Sequence, residues 1–90
     1  MAKTNTAMPM KIVVLDRGFV YVGYVTLEND WCIIREARNI RYWGTSRGVG
    51  QLALEGPQSN TKLDRVGVVR APMRAVISLI DTEQALWIKS

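Results

Sequence analysis

The residues best suited to chemistry lie in one glycine-rich segment, residues 40–57, with the sequence I-R-Y-W-G-T-S-R-G-V-G-Q-L-A-L-E-G-P. It combines an aromatic pair, a hydroxyl pair, arginines and closely spaced glycines. Arginine and backbone N–H groups bind phosphate, and an aromatic ring stacks on a heterocycle. Glycine lets the backbone approach a ligand closely. We therefore predict a ligand site formed by Arg41, Tyr42, Trp43, Gly44, Thr45, Ser46, Arg47, Gly48 and Gly50.

Within this site, Arg41 and Arg47 would contact phosphate, and Trp43 or Tyr42 would stack on the ligand. Three further residues are secondary candidates: Arg38, Thr61 and Asp64. We expect Asp64 to cap a turn or orient an arginine, because a Thr-x-x-Asp pattern precedes a predicted strand.

Structural interpretations of the same residues compete with this one. The spacing G-T-S-R-G-V-G is neither a dinucleotide fingerprint nor a P-loop. A glycine segment in a small β protein is more often a tight turn than a ligand cradle. Trp43 would then pack in the core, and the preceding arginines would form a solvated strand edge.

The remaining composition argues against an enzyme. The chain has no histidine and one cysteine, so it lacks the commonest general base and the ligands of a zinc site. Its eight acidic residues are scattered, mostly at predicted turns. We predict a binding protein with no metal and no cofactor.

The charge of the chain favours an anionic partner. The formal net charge is +4, and eight of the twelve cationic residues are arginine. Arginine suits bidentate phosphate contacts and stacking. A second arginine-rich region holds Arg65, Arg70 and Arg74, so an RNA- or DNA-binding β-barrel is an alternative.

The apolar pattern predicts a mainly β protein with about six short strands. Residues 12–15 and 19–27 read as a hairpin, with a bend at Gly23 and two largely apolar faces, one for the core and one for a second sheet or another subunit. Residues 31–34 and 40–43 read as two strands separated by a turn. Further strands are predicted at 63–73, which Pro72 should interrupt, and at 74–80. One or two helical turns, the first at 51–54, complete a small barrel, sandwich or curved sheet.

The chain length predicts one domain, residues 11–90, preceded by a flexible leader at residues 1–10. A domain of this size buries a marginal core, so we expect a homo-oligomer. The lone thiol of Cys32 in an apolar context predicts a buried residue and a reducing, cytoplasmic compartment. No segment is long and apolar enough to predict a membrane span.

The pattern I-R-x-W-G-T, G-x-G-x-L-A, G-P and T-x-L-D, together with residues 12–18 and 22–23, resembles small bacteriophage proteins of unknown function. The resemblance implies that the protein is located in the host cytoplasm and that it acts on a host defence component or on nucleic acid. Our leading hypothesis is a sponge that binds a nucleotide immune signal in a pocket beside the glycine-rich segment. The alternatives are a nucleic-acid-binding β-barrel and a protein–protein inhibitor of a host enzyme.

Overall fold

The protein folds as a single five-stranded antiparallel sheet with two short helices, in a computed structural model that describes residues 9–88. The strand order is β4-β3-β2-β1-β5, and β4 and β5 are the two edges. The strands are β1 Met10–Leu15, β2 Val20–Glu28, β3 Trp31–Tyr42, β4 Lys62–Pro72 and β5 Val76–Asp81. The helices are α1 Val49–Glu55 and α2 Gln84–Ile88, and 3-10 turns cover Asp16–Gly18 and Met73–Ala75.

The mainly β prediction is confirmed, but with five strands in place of about six. The predicted turn between residues 34 and 40 is wrong, because β3 runs through it as one strand of 12 residues. A β-bulge at Glu36 accommodates the extra residue there. Glu36 and Ala37 oppose Gly23 of β2, and Glu36 has a φ of 53°. The sheet is open, because among the described residues β4 and β5 do not pair with each other. Side chains of both edge strands pack against one cluster, which fits a curved sheet and not a closed barrel.

Gly23 is the residue of β2 that faces this bulge. A Cβ at this position would lie 2.6 Å from Ile34 Cγ2 and 2.8 Å from the carbonyl oxygen of Arg35. The register of β2 against β3 shifts between Val22 and Tyr24 at the same point. The predicted irregularity at Gly23 is therefore present, and its physical cause is a close approach of the β3 backbone.

Each face of the central strands carries a buried apolar cluster formed within the chain, so the second apolar face does not need the second sheet or subunit that was predicted for it. One face packs beneath the two helices, where Trp87 of α2 and Leu52 of α1 are fully buried. The other face carries a second buried cluster, formed by residues of β1 to β4. Val13 and Ile34 lie at its centre, and side chains of β4 and β5 pack against the same cluster.

The other local predictions agree with these elements. The Asp16–Gly18 turn joins a hairpin of β1 and β2, and β4 ends at Pro72. The helical turn at 51–54 lies within α1, which ends at Gly56. Cys32 is buried. None of the helices in the described part of the chain is long and apolar enough to cross a bilayer.

The predicted leader lies mostly outside the described residues. Residues 1–8 are not described, and β1 begins at Met10, which is buried.

Candidate functional site

The loop at residues 43–48 connects β3 to α1 and is held by hydrogen bonds to two neighbouring segments. The Thr61 hydroxyl donates to the Trp43 carbonyl at 2.6 Å and accepts from the Gln58 amide at 2.8 Å. Gly44, with a φ of 65°, packs so closely on residues 60 and 61 that a Cβ there would lie 2.4 Å from the Asn60 carbonyl carbon. Thr61, a secondary candidate, therefore fixes the loop.

The first turn of α1 closes the same loop from its other side. The Gln51 side-chain oxygen accepts the backbone amides of Ser46 at 3.2 Å and Arg47 at 2.9 Å. The Thr45 hydroxyl donates to the Gly48 carbonyl at 3.0 Å. The hydrogen-bonding groups that were predicted to meet a ligand are thus engaged within the protein.

Both arginines predicted to contact phosphate have carboxylate partners. Arg41 Nε donates to Asp64 Oδ2 at 2.8 Å, and its Nη2 approaches Oδ1 at 3.4 Å. This hydrogen bond and the carboxylate charge raise the pKa of Arg41. Arg47 pairs with Glu55 of α1. Asp64 does orient an arginine, as expected, and the pairing leaves little net charge in the loop for a phosphate.

A shallow depression of about 380 Å³ lies over this loop. Its walls include the exposed rings of Tyr42 and Trp43, which belong to neither core cluster. The structure brings together six of the nine predicted residues around it; Ser46, Arg47 and Gly50 lie outside its lining. The lining residues are Arg41, Tyr42, Trp43, Gly44, Thr45 and Gly48.

A larger cavity of about 530 Å³ lies further along β3 and β4, next to α2. Arg38 of β3 and Arg65 of β4 are directly opposed in the strand register and both line it. Burial and the charge of Arg65 lower the pKa of Arg38. The complete lining is Met10, Tyr24, Glu36, Ala37, Arg38, Arg65, Gly67, Trp87 and Ile88.

Trp87 supports Arg38 from inside the protein. The guanidinium carbon of Arg38 lies 5.8 Å from the centroid of the indole ring, and Nη2 donates to the Trp87 carbonyl at 3.3 Å. The indole N–H donates in turn to the Leu52 carbonyl of α1 at 3.1 Å. The two helices therefore fix the position of a half-buried cation in the cavity wall.

Both strands are irregular where they border this cavity. Glu36 has a positive φ of 53°, and Gly67 on β4 has a φ of 86°. Non-glycine residues in this conformation, and bulges in general, are enriched near functional sites. Because Glu36 is not a glycine and still holds a positive φ beside this cavity, the backbone marks this region more strongly than the glycine-rich loop, where the positive φ values belong to glycines.

Sequence reasoning placed Arg38 among the secondary candidates and missed its partners in the cavity. Arg65 was noted only as part of an arginine-rich region, and Tyr24 and Glu36 were read as strand and turn residues. The sequence signal was weak, because the opposition of residues 38 and 65 depends on a strand register that includes several bulges.

The cavity has the groups to bind an anionic ligand that also carries hydrogen-bond donors. Two guanidinium groups can bind a phosphate or carboxylate, and the Glu36 carboxylate can accept from hydroxyl or amino groups. Within residues 9–88 no cluster of carboxylate, thiol or imidazole groups could hold a metal ion.

Comparison of the chain with protein-family models, curated proteins and solved structures gave no match.

Proposed function

We propose that this protein is a non-enzymatic binding module that captures a small phosphorylated ligand between Arg38 and Arg65. The observation that carries the proposal is the direct opposition of these two arginines across β3 and β4, at the wall of a cavity of about 530 Å³. Like charges that face each other across a ladder destabilise a sheet. A bound phosphate would offset the repulsion between them and accept hydrogen bonds from both guanidinium groups.

The rest of the cavity suits a nucleotide better than a bare phosphate. Its volume lies in the range of small-ligand sites. Tyr24 supplies a half-buried aromatic wall, and Glu36 supplies a carboxylate for ribose hydroxyls or a base amino group. A nucleotide would use all of these groups, whereas inorganic phosphate would use only the two arginines.

Sequestration of a nucleotide immune signal is the biological role that we propose for this chemistry. It is supported by the resemblance to small bacteriophage proteins and by the absence of histidine from the sequence. The single buried thiol of Cys32 fits a reducing host cytoplasm.

We also propose a homo-oligomer. The edge strands β4 and β5 each pair on one side only within the described residues, and they carry the exposed side chains Val66, Val68 and Ile77. Exposed apolar edges of this kind are typical sites of strand addition. Light scattering coupled to size-exclusion chromatography would give the subunit number.

Isothermal titration calorimetry tests the binding proposal. The titrants are linear and cyclic mono- and dinucleotides, ribose 5-phosphate and inorganic phosphate. At least one nucleotide should bind stoichiometrically and more tightly than inorganic phosphate. Arg65→Gln should weaken that nucleotide about 10- to 100-fold, because hydrogen bonds to charged groups contribute about 1.5–3 kcal/mol.

Arg74→Gln is the matched control, because it removes the same charge from an exposed position outside the cavity. No binding across the panel, or equal losses for Arg65→Gln and Arg74→Gln, would refute the proposal. Loss of binding in Arg47→Gln with retention in Arg65→Gln would place the ligand at the glycine-rich loop instead.

A further inference from the structure

We infer that Tyr42 and Trp43 form a second binding surface, independent of the Arg38–Arg65 cavity, for the unpaired bases of single-stranded nucleic acid. The two rings are consecutive, at the point where β3 ends and the loop begins. Tyr42 is 59% exposed and Trp43 is 39% exposed. Base–aromatic stacking is the interaction that sequence-tolerant single-strand binders use.

The loop that carries the rings is ordered by contacts that do not involve the rings themselves. The Trp43 carbonyl is held by Thr61, and Gly44 is seated against Asn60. Gln51 secures the following two amides. Because the loop backbone is already restrained, it loses little conformational entropy when the aromatic side chains bind a ligand. Neither ring belongs to a core cluster.

The depression beside the rings has the shape and chemistry for a planar base. Its volume of about 380 Å³ is small, and it is lined by the two rings, by Gly44 and Gly48, and by the Thr45 side chain. Gly48 has no side chain to cover the backbone beside the Trp43 ring, so a base edge can approach it there.

The local charge predicts an unusual salt dependence. Arg41 and Arg47 are paired with carboxylates, as described above. Lys62, which faces Tyr42 in the β3–β4 register, is exposed and makes no ion pair with another described residue. About one phosphate should therefore be neutralised on binding. The logarithm of the binding constant should fall with the logarithm of salt concentration with a slope of only about −0.7.

Fluorescence anisotropy with labelled eight-nucleotide oligomers tests this inference. Oligo(dT), oligo(dA) and oligo(U) should all bind, and a DNA duplex of the same length should bind at least tenfold more weakly because its bases are already stacked. The DNA and RNA arms identify the preferred nucleic acid. Tyr42→Ser and Trp43→Leu should each weaken binding about 5- to 100-fold, the loss expected for one stacked base.

Trp31→Leu is the matched control, since Trp31 is also exposed, at 48%, but lies at the far end of β3. It should leave oligomer binding unchanged. Lys62→Gln should reduce the salt slope to near zero. Circular dichroism checks the fold of each variant, and Trp43→Phe retains a ring if Trp43→Leu proves unstable.

The inference is overturned by a lack of oligomer binding, by duplex binding of equal strength, or by equal losses in Tyr42→Ser and Trp31→Leu. A steep salt slope would also overturn it, because it would indicate an arginine surface in place of stacking. Arg65→Gln should bind oligomers like the wild type, so that failure of the cavity proposal and failure of this one are distinguishable.

Discussion

Arg38 of β3 and Arg65 of β4 are directly paired across the β3–β4 ladder. The charge of Arg65 disfavours the charged form of Arg38, and the carboxylate of Glu36 opposes this effect. We therefore expect Arg65→Gln to raise the free energy of unfolding by about 0.2–1 kcal/mol in a phosphate-free buffer. The gain should shrink as sodium chloride is raised from 0.1 to 1 M, because salt screens the repulsion.

Urea denaturation of both proteins at several salt concentrations measures this difference. Arg70→Gln is the control, because Arg70 faces the uncharged side chain of Ile33 in the same ladder. If Arg65→Gln destabilises the protein while Arg70→Gln is neutral, the arginine pair is not a repulsive one.

Gly23→Ala should destabilise the protein by about 1–3 kcal/mol, the usual cost of overpacking. The added methyl group would lie 2.6 Å from Ile34 Cγ2 and 2.8 Å from a backbone oxygen that cannot rotate away. Gly50→Ala is the contrasting variant. Its Cβ would meet nothing within 4 Å and it lies in α1, so alanine should stabilise the protein by about 0.5–1 kcal/mol.

Thermal and urea unfolding of the two glycine variants provide the measurement. A neutral Gly23→Ala would show that the bulge in β3 can shift to make room.

Trp87→Ala should cost about 3–5 kcal/mol, because this fully buried indole packs against Ile12, Leu52 and the rest of the helix-covered core. The indole hydrogen bond to the Leu52 carbonyl would be lost as well. Chemical denaturation followed by circular dichroism measures the change. Trp31→Ala, at an exposed tryptophan, should change stability far less.

Cys32 should react slowly with a thiol reagent in the native state and rapidly after unfolding. Burial raises the pKa of this thiol above its ordinary value of 9.0. A raised folded-state pKa means that the folded protein keeps a proton which the unfolded chain releases. Its contribution to stability is therefore full below pH 9 and is lost as the pH rises toward the folded-state pKa.

The difference in unfolding free energy between the wild type and Cys32→Ala isolates this effect from other alkaline titrations. It should decrease between pH 8 and pH 10.5. A constant difference over that range would contradict the raised pKa.

The sheet could be predicted from local signals, whereas the larger cavity could not. Runs of β-branched residues with a glycine-containing turn between them identified the first hairpin, and Pro72 marked a strand end, because these effects act over a few residues. At Glu36 local signals gave the wrong prediction. Residues that tolerate helix and turn suggested an interruption, but pairing with strands on both sides kept β3 continuous.

The partners of the candidate site residues and of Trp87 depend on contacts between segments that are distant in sequence. The sequence predicted that Arg41 and Arg47 would contact phosphate. In the fold, Arg47 pairs with Glu55 of α1, and Arg41 pairs with Asp64 of β4. Trp87 stood in a short apolar segment with no strong pattern, yet it fills the centre of one core. Side-chain partners distant in sequence follow from the register and the helix positions, which composition and spacing do not encode.

The pairing of β1 with β5 has a consequence for how the chain folds. Lys11 and Asp81 are partners in this ladder, although 70 residues separate them along the chain. Closing a loop of that length costs about 4 kcal/mol of chain entropy. The three antiparallel pairings from β1 to β4 can form through much shorter closures, so β5 should join last. Refolding should then take milliseconds to seconds, as in other sheets that depend on contacts between distant segments.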